Sequence, residues 1–165
     1  MSSASDSPPP PLLGPGLVAF FTERHLATLT TLRADGTPHV VPVGVTLDAA
    51  TGTARVITSG TSAKVRHVRR GQVQGGQVQG GQVQGGQAQG GPARVAVCQV
   101  DGKVWTTLEG TAVVREDAGS VADAEARYAV RYQQPRVNPA RVVLEISVDR
   151  VLGNAERWRG PEAPQ

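Results

Sequence analysis

Short alternating apolar runs, cut apart by turn signals, set the tightest limit on what this chain can fold into. Arg141–Asp149 shows the pattern most plainly: Val142, Leu144, Ile146 and Val148 fall on one side, Val143, Glu145, Ser147 and Asp149 on the other. A period of two is that of a strand with one face in a core. His25–Arg33 is rich in threonine and leucine, Ala34-Asp35-Gly36-Thr37 is a turn signal, and His39–Leu47 is apolar again. The pair therefore reads as a hairpin. In its second run Val41, Val43, Val45 and Leu47 share one face, and Val40, Pro42 and Gly44 the other. Residues as small as Pro42 and Gly44 leave room for something flat, although proline and glycine also mark an edge or a bulge. Asp48–Gly52 turns the chain into Thr53–Ser59, and Asp101-Gly102 joins Ala93–Val100 to Lys103–Arg115.

Helices are expected at Leu17–Arg24, Thr61–Arg70 and Ser120–Gln133. The third carries Val121, Ala124, Tyr128 and Tyr132 on one face, with Ser120 as N-cap, Asp123 three residues on, and Pro135 as its stop. Six short strands joined mainly by hairpins, with helices at the corners, predict a mainly β fold: a small antiparallel barrel, closed or partly open.

One domain accounts for a chain of 165 residues, and its expected limits are 17–154. Residues 1–16 hold a four-proline run and small residues, and 155–165 are polar; both read as tails. Between 71 and 92 the chain repeats Gln-Val-Gln-Gly-Gly. Each unit has too little apolar surface to offset the entropy of ordering its glycines, so this reads as a flexible insertion in the domain. The other reading is a Gln-rich segment that binds a partner.

Charge and cysteine count narrow the function classes. Lys+Arg of 17 against Asp+Glu of 14 leaves +3, and lysine occurs only at Lys64 and Lys103. With six aromatic residues in the whole chain, a nucleic-acid surface of interleaved cations and rings is not expected. Cys98 is alone, which excludes a disulfide framework, and His25, His39 and His67 form no close-spaced pair for zinc. No apolar run reaches the roughly 20 residues of a membrane span and no signal peptide is recognisable, so a cytoplasmic protein is expected.

There is no nucleophile elbow, P-loop or dinucleotide fingerprint. The one constellation that stands out runs from Thr58 through Ser59, Gly60, Thr61, Ser62 and Lys64 to Arg66, His67, Arg69 and Arg70. A strand ends in hydroxyl residues, a glycine turns the chain, and a helix begins. Its first-turn N–H groups, with hydroxyls and a lysine, are what a phosphate needs. The same residues fit a capped helix with a solvated basic face. Gln99 is placed either to read a heterocycle's polar edge or to be satisfied in the core. His39 reads as an ordinary strand residue, Trp105 as packing rather than a stacking platform, and Cys98 as an inert core thiol.

Glu23–Thr46, Ala54–Arg70, Val95–Gly110 and Arg131–Gly153, taken in order, resemble the pyridoxamine-phosphate-oxidase-like split-barrel family. Within it they are most similar to the branch that uses the deazaflavin F420, and there to the biliverdin reductases. The resemblance implies a six-stranded split β-barrel with short flanking helices, paired as a homodimer with the cofactor in a groove between subunits. It implies a reductase passing hydride from reduced F420 to a small conjugated acceptor such as biliverdin. Ser62 and Lys64, with Thr61 nearby, would hold the phosphate; Thr58, Ser59 and the strand through His39, Val41, Pro42 and Val43 would border the ring; Gln99 would approach from either subunit. Arg66, Arg69 and Arg70 would lie toward the phosphate and the cofactor's acidic tail. An FMN-using oxidase-like relative and a non-catalytic split barrel that holds a flavin or haem are the alternatives. A cofactor that does its own hydride chemistry needs no protein nucleophile, in keeping with the missing motifs.

Overall fold

The computed structural model describes residues 13–75 and 93–155. The expectations for 1–12, 76–92 and 156–165 lie outside the described residues. In chain order the elements are α1 (Pro15–Thr22), β1 (Ala27–Leu32), β2 (Pro38–Val43), β3 (Thr46–Asp48), β4 (Thr53–Ser59), α2 (Ala63–Gly75), β5 (Ala93–Asp101), β6 (Val104–Arg115), α3 (Ala118–Arg131) and β7 (Arg141–Gly153). The strands make one sheet in the order β2-β1-β5-β6-β7-β4-β3, every neighbouring pair antiparallel. The fold is mainly β, as expected, but the strands number seven rather than six.

The extra strand arises because the run from His39 to Leu47 breaks at Gly44-Val45. A Cβ on Gly44 would stand 2.6 Å from the Tyr128 ring, so only glycine passes there without displacing that ring. The backbone of Val45 leaves the ladder and is satisfied by α3 and the residue that follows it. Its N–H donates to the Tyr132 hydroxyl at 3.1 Å, and its carbonyl accepts from Arg131. β2 and β3 are thus the two outer edges of the sheet, yet two residues join them. Two linking residues reach only about 10 Å. The sheet therefore rolls until its edges meet at that corner, which makes a barrel left open along one seam.

The inward faces close on one core. Ala27 and Leu29 of β1, Ala54 and Val56 of β4, and Val95 and Val97 of β5 meet Leu17, Phe20 and Phe21 of α1 and Val65 and Val68 of α2. β7 continues past the expected end at Asp149 by way of a bulge opposite Glu109 and Gly110. A Cβ on Gly110 would lie 2.1 Å from the Ser147 carbonyl oxygen, so the bulge requires glycine.

Several boundaries differ from the sequence reading, each for a local reason. α1 starts at Pro15 and Leu13 is buried, so packing reaches into the expected N-terminal tail. Ala155 is buried as well, one residue into the expected C-terminal tail. α3 is capped by Asp117, whose Oδ1 accepts from the Ser120 N–H at 2.8 Å; Ser120 sits inside the first turn. α2 continues beyond Arg70 into the first repeat unit. A Cβ on Gly71 would lie 2.6 Å from that of Ala93, and Gln72 Oε1 accepts from the Val114 N–H at 3.1 Å. The start of the repeat is therefore packed against β5 and β6. Trp105, expected in the packing, is 42 % exposed. Cys98, expected as a core thiol, is half-buried.

Candidate functional site

β4 ends at Ser59 and α2 begins at Ala63, so the whole turn is Gly60-Thr61-Ser62. The Ser62 N–H donates to the Ser59 carbonyl at 3.0 Å, and the Gly60 N–H to that of Ala140 at 2.8 Å. The second bond ties the turn to the segment that enters β7. First-turn N–H groups of a helix have no carbonyl four residues back, and together they carry partial positive charge.

A cavity of about 360 Å³ opens beside this turn. Lys64 of α2 and Ile57 and Thr58 of β4 form one wall, and the end of β2, Pro42-Val43-Gly44, forms another. Tyr128 of α3, the loop Gln133–Arg136 and Arg141 complete it. The seam between the barrel's edges thus opens onto a groove floored by small residues.

Lys64 gives the groove its chemistry. The side chain is half-buried, and burial pushes its ammonium below the usual lysine range. Among the described residues no carboxylate or carbonyl pairs with it. The nearby arginines differ. Arg66 donates to the Thr61 carbonyl at 2.9 Å and Arg70 to that of Leu32 at 2.7 Å. Arg69 pairs with Glu116 and reaches the Gly60 carbonyl at 3.4 Å. Arg141 is held by Glu125 at 3.0 Å and by the Arg136 carbonyl at 2.7 Å. The basic stretch therefore divides: three arginines brace the fold, and the lysine faces the groove.

Of the residues singled out in the sequence, the structure brings Pro42, Val43, Thr58 and Lys64 together in the groove wall. Ser62 stands one contact behind, its hydroxyl 3.4 Å from that of Thr58. Ser59 and Thr61 pair with each other at 3.2 Å at the outer side of the turn. His39 and Val41 lie on the inward face of β2, before Val43, and are not among the groove's lining residues. His39 lies edge-on to His67 at 5.0 Å, and the Thr31 hydroxyl is 2.9 Å from His67 Nδ1. Burial first, then the positive charge of His39 and of Arg70, holds His67 below the usual histidine range. Gln99 takes the second of the two placements the sequence allowed. It is fully buried, donating to the Phe20 carbonyl at 2.8 Å and accepting from Arg131 at 2.7 Å. Its amide is engaged by the core, and Gln99 does not line the groove.

Sequence reasoning missed Tyr128, the Gln133–Arg136 loop and Arg141 as wall residues. Tyr128 fell on the apolar face of a helix, where packing is the default reading. A signal existed for Arg141: antiparallel pairing of β4 with β7 sets Ser59 opposite Arg141, at the very end of β4.

Comparison with known proteins agrees with this fold. The profile described as pyridoxamine 5'-phosphate oxidase matches residues 13–155. The F420H(2)-dependent biliverdin reductase of Mycobacterium tuberculosis (strain CDC 1551 / Oshkosh) is 47% identical over 139 residues, 84% of this chain and 86% of that protein. A solved F420 reductase superposes with a TM-score of 0.57 at 17% identity, covering 81% of this chain and 94% of that one. A conserved hypothetical protein from Mycobacterium tuberculosis gives 0.63 at 20% identity, covering 88% of this chain and 86% of that one. The two structural likenesses speak to the fold. Since the profile and the 47% identical relative each span most of the chain, it belongs to the pyridoxamine 5'-phosphate oxidase family.

Proposed function

We propose that this protein is an F420-dependent reductase that passes a hydride to a conjugated acceptor, with biliverdin as the acceptor to test first. The observation that carries the reading is the unpaired, half-buried Lys64 ammonium in a groove at a helix N-terminus. A buried cation without a partner is costly unless an anion completes it. The residues fit the cofactor on a second count: Pro42 and Val43 leave a wall of little bulk, and the Tyr128 ring, packed against Gly44, closes its end.

In this reading Lys64 grips the phosphate, with the first-turn N–H groups of α2 and the Thr58 hydroxyl beside it. Ser62 orients Thr58. Pro42, Val43 and Gly44 take the flat ring, and their lack of bulk holds it against the barrel. When bound, the reduced deazaflavin supplies the hydride. The chain's share is to fix orientation and distance and to limit water. The homodimer and the cytoplasmic location belong to the same proposal. The strand register puts Leu32, Val40, Val100, Trp105 and Leu152 on one outward face, and all five are exposed. An apolar face of this kind is what a subunit interface uses. Among the described residues no helix is long and apolar enough to cross a membrane.

Mixing the purified protein with reduced F420 and biliverdin tests the proposal. The expected result is loss of the biliverdin spectrum together with return of oxidised F420. Absence of both turnover and binding would remove it, and a yellow protein that releases FMN would put the flavin alternative in its place.

A further inference from the structure

Arg136 stands out once the arginines are sorted by partner. Among the described residues, every arginine except Arg24 and Arg136 makes a side-chain hydrogen bond or ion pair. Arg136 is exposed and lines the Lys64 groove. It also lines a second cavity, of about 380 Å³, which adjoins the first and shares Gln134, Pro135, Arg136 and Arg141 with it. Arg136 and Arg141 thus stand on the rim that the two cavities share.

The second cavity differs from the first in its walls. Val121, Pro135, Val137 and Pro139 give it an apolar strip of wall, set among Glu116, Glu125, Gln134, Asn138 and Arg141, and Val137 is 96% exposed. Its two carboxylates are already neutralised, Glu116 by Arg69 and Glu125 by Arg141. What remains is a mixed wall with an apolar strip and one guanidinium, that of Arg136, that has no partner among the described residues. The fork of a guanidinium matches a carboxylate with two parallel bonds.

We infer that this second cavity is the acceptor subsite and that Arg136 anchors a carboxylate of the acceptor. The inference rests on the reductase reading above and extends it to the acceptor's chemistry: a flat, apolar, conjugated molecule bearing an acidic side chain. Lys64 and Arg136 then divide the anions of the two ligands, the phosphate going to the buried cation and the carboxylate to the exposed one. Biliverdin, with its two propionates, has this chemistry, and its dimethyl ester is the matched neutral probe.

The test is binding, read without turnover. Biliverdin and its dimethyl ester are titrated against wild type, Arg136→Ala and Arg136→Lys, following the visible spectrum, and oxidised F420 is titrated against each. Loss of a charged hydrogen-bonded pair is expected to weaken biliverdin binding about 10- to 100-fold in Arg136→Ala, with part of the loss recovered in Arg136→Lys. Ester binding and F420 binding should stay within twofold of wild type. Equal weakening for acid and ester would overturn the anchor role, and so would weakened F420 binding, which would assign Arg136 to the cofactor. Unchanged biliverdin binding in Arg136→Ala would overturn it while leaving the reductase reading intact. Failure of the wild type to bind or reduce biliverdin would instead strike that reading, and the inference with it.

Discussion

Replacing Arg131 by methionine is expected to lower the unfolding free energy by about 3–5 kcal/mol, the range for breaking a buried, hydrogen-bonded charge network. Arg131 lies at the end of α3 and is 9% exposed. Its guanidinium donates to the Glu23 carbonyl at 2.9 and 2.7 Å, to Gln99 Oε1 at 2.7 Å and to the Val45 carbonyl. One side chain thus binds the end of α1, the crossover between the sheet's two edges, and β5. It has no carboxylate partner among these contacts, and burial pushes its pKa down. The cation itself is therefore not a source of great stability. The loss comes from what it would leave behind: the buried Gln99 Oε1, the Val45 carbonyl, which keeps only the Tyr132 hydroxyl at 3.2 Å, and the part-buried Glu23 carbonyl, with a buried acceptor costing about 1–3 kcal/mol if unmet. Relaxation of the backbone and removal of a buried charge offset part of that sum. Urea unfolding of wild type and variant measures the difference. Arg131→Lys, which keeps the charge and fewer of the bonds, should fall between them. A change below about 1 kcal/mol in Arg131→Met would mean that the carbonyls find other partners, and that the crossover is held by Tyr132 alone.

The second large effect is on binding. Lys64→Ala is expected to weaken F420 binding by about 1.5–3 kcal/mol, the range of a hydrogen bond to a charged group, or roughly 10- to 150-fold. Because the ammonium is half-buried, salt should screen the interaction less than it would a surface pair. The same change should leave the melting temperature unaltered or raise it, since it removes a desolvated cation with no partner among the described residues. Loss of affinity without loss of stability separates a ligand-binding lysine from a structural one. Fluorescence titration of the cofactor and a thermal melt of the same samples supply both readings. Unchanged affinity would take Lys64 out of the site.

The legible parts of this protein were those that local chemistry decides. Alternation in Arg141–Asp149 and the Asp-Gly turns marked the strands and their pairing, because each is a property of a few adjacent residues. The helix start at Ser62 and Lys64 was legible for the same reason. The break at Gly44-Val45 was not, since it depends on a tyrosine ring more than 80 residues away, with Val45 and Tyr132 separated by 87 positions. Gln99 stayed open between ligand and core for a related reason: its partners Phe20 and Arg131 are remote in the chain, and polarity in a strand says nothing of which way it is satisfied. The Gln133–Arg136 loop looked like a connector. Only the closing of the barrel shows that it walls the groove.

The account stands on a phosphate at Lys64 and a ring on the wall beside it. A crystal of this protein soaked with F420 tests that most directly. The expected density places a phosphate oxygen within hydrogen-bond distance of Lys64 Nζ, about 2.7–3.2 Å, with the deazaflavin ring lying along Pro42, Val43 and Gly44. A phosphate bound away from α2, or a ring lodged elsewhere while Tyr128 closes the groove, would contradict it.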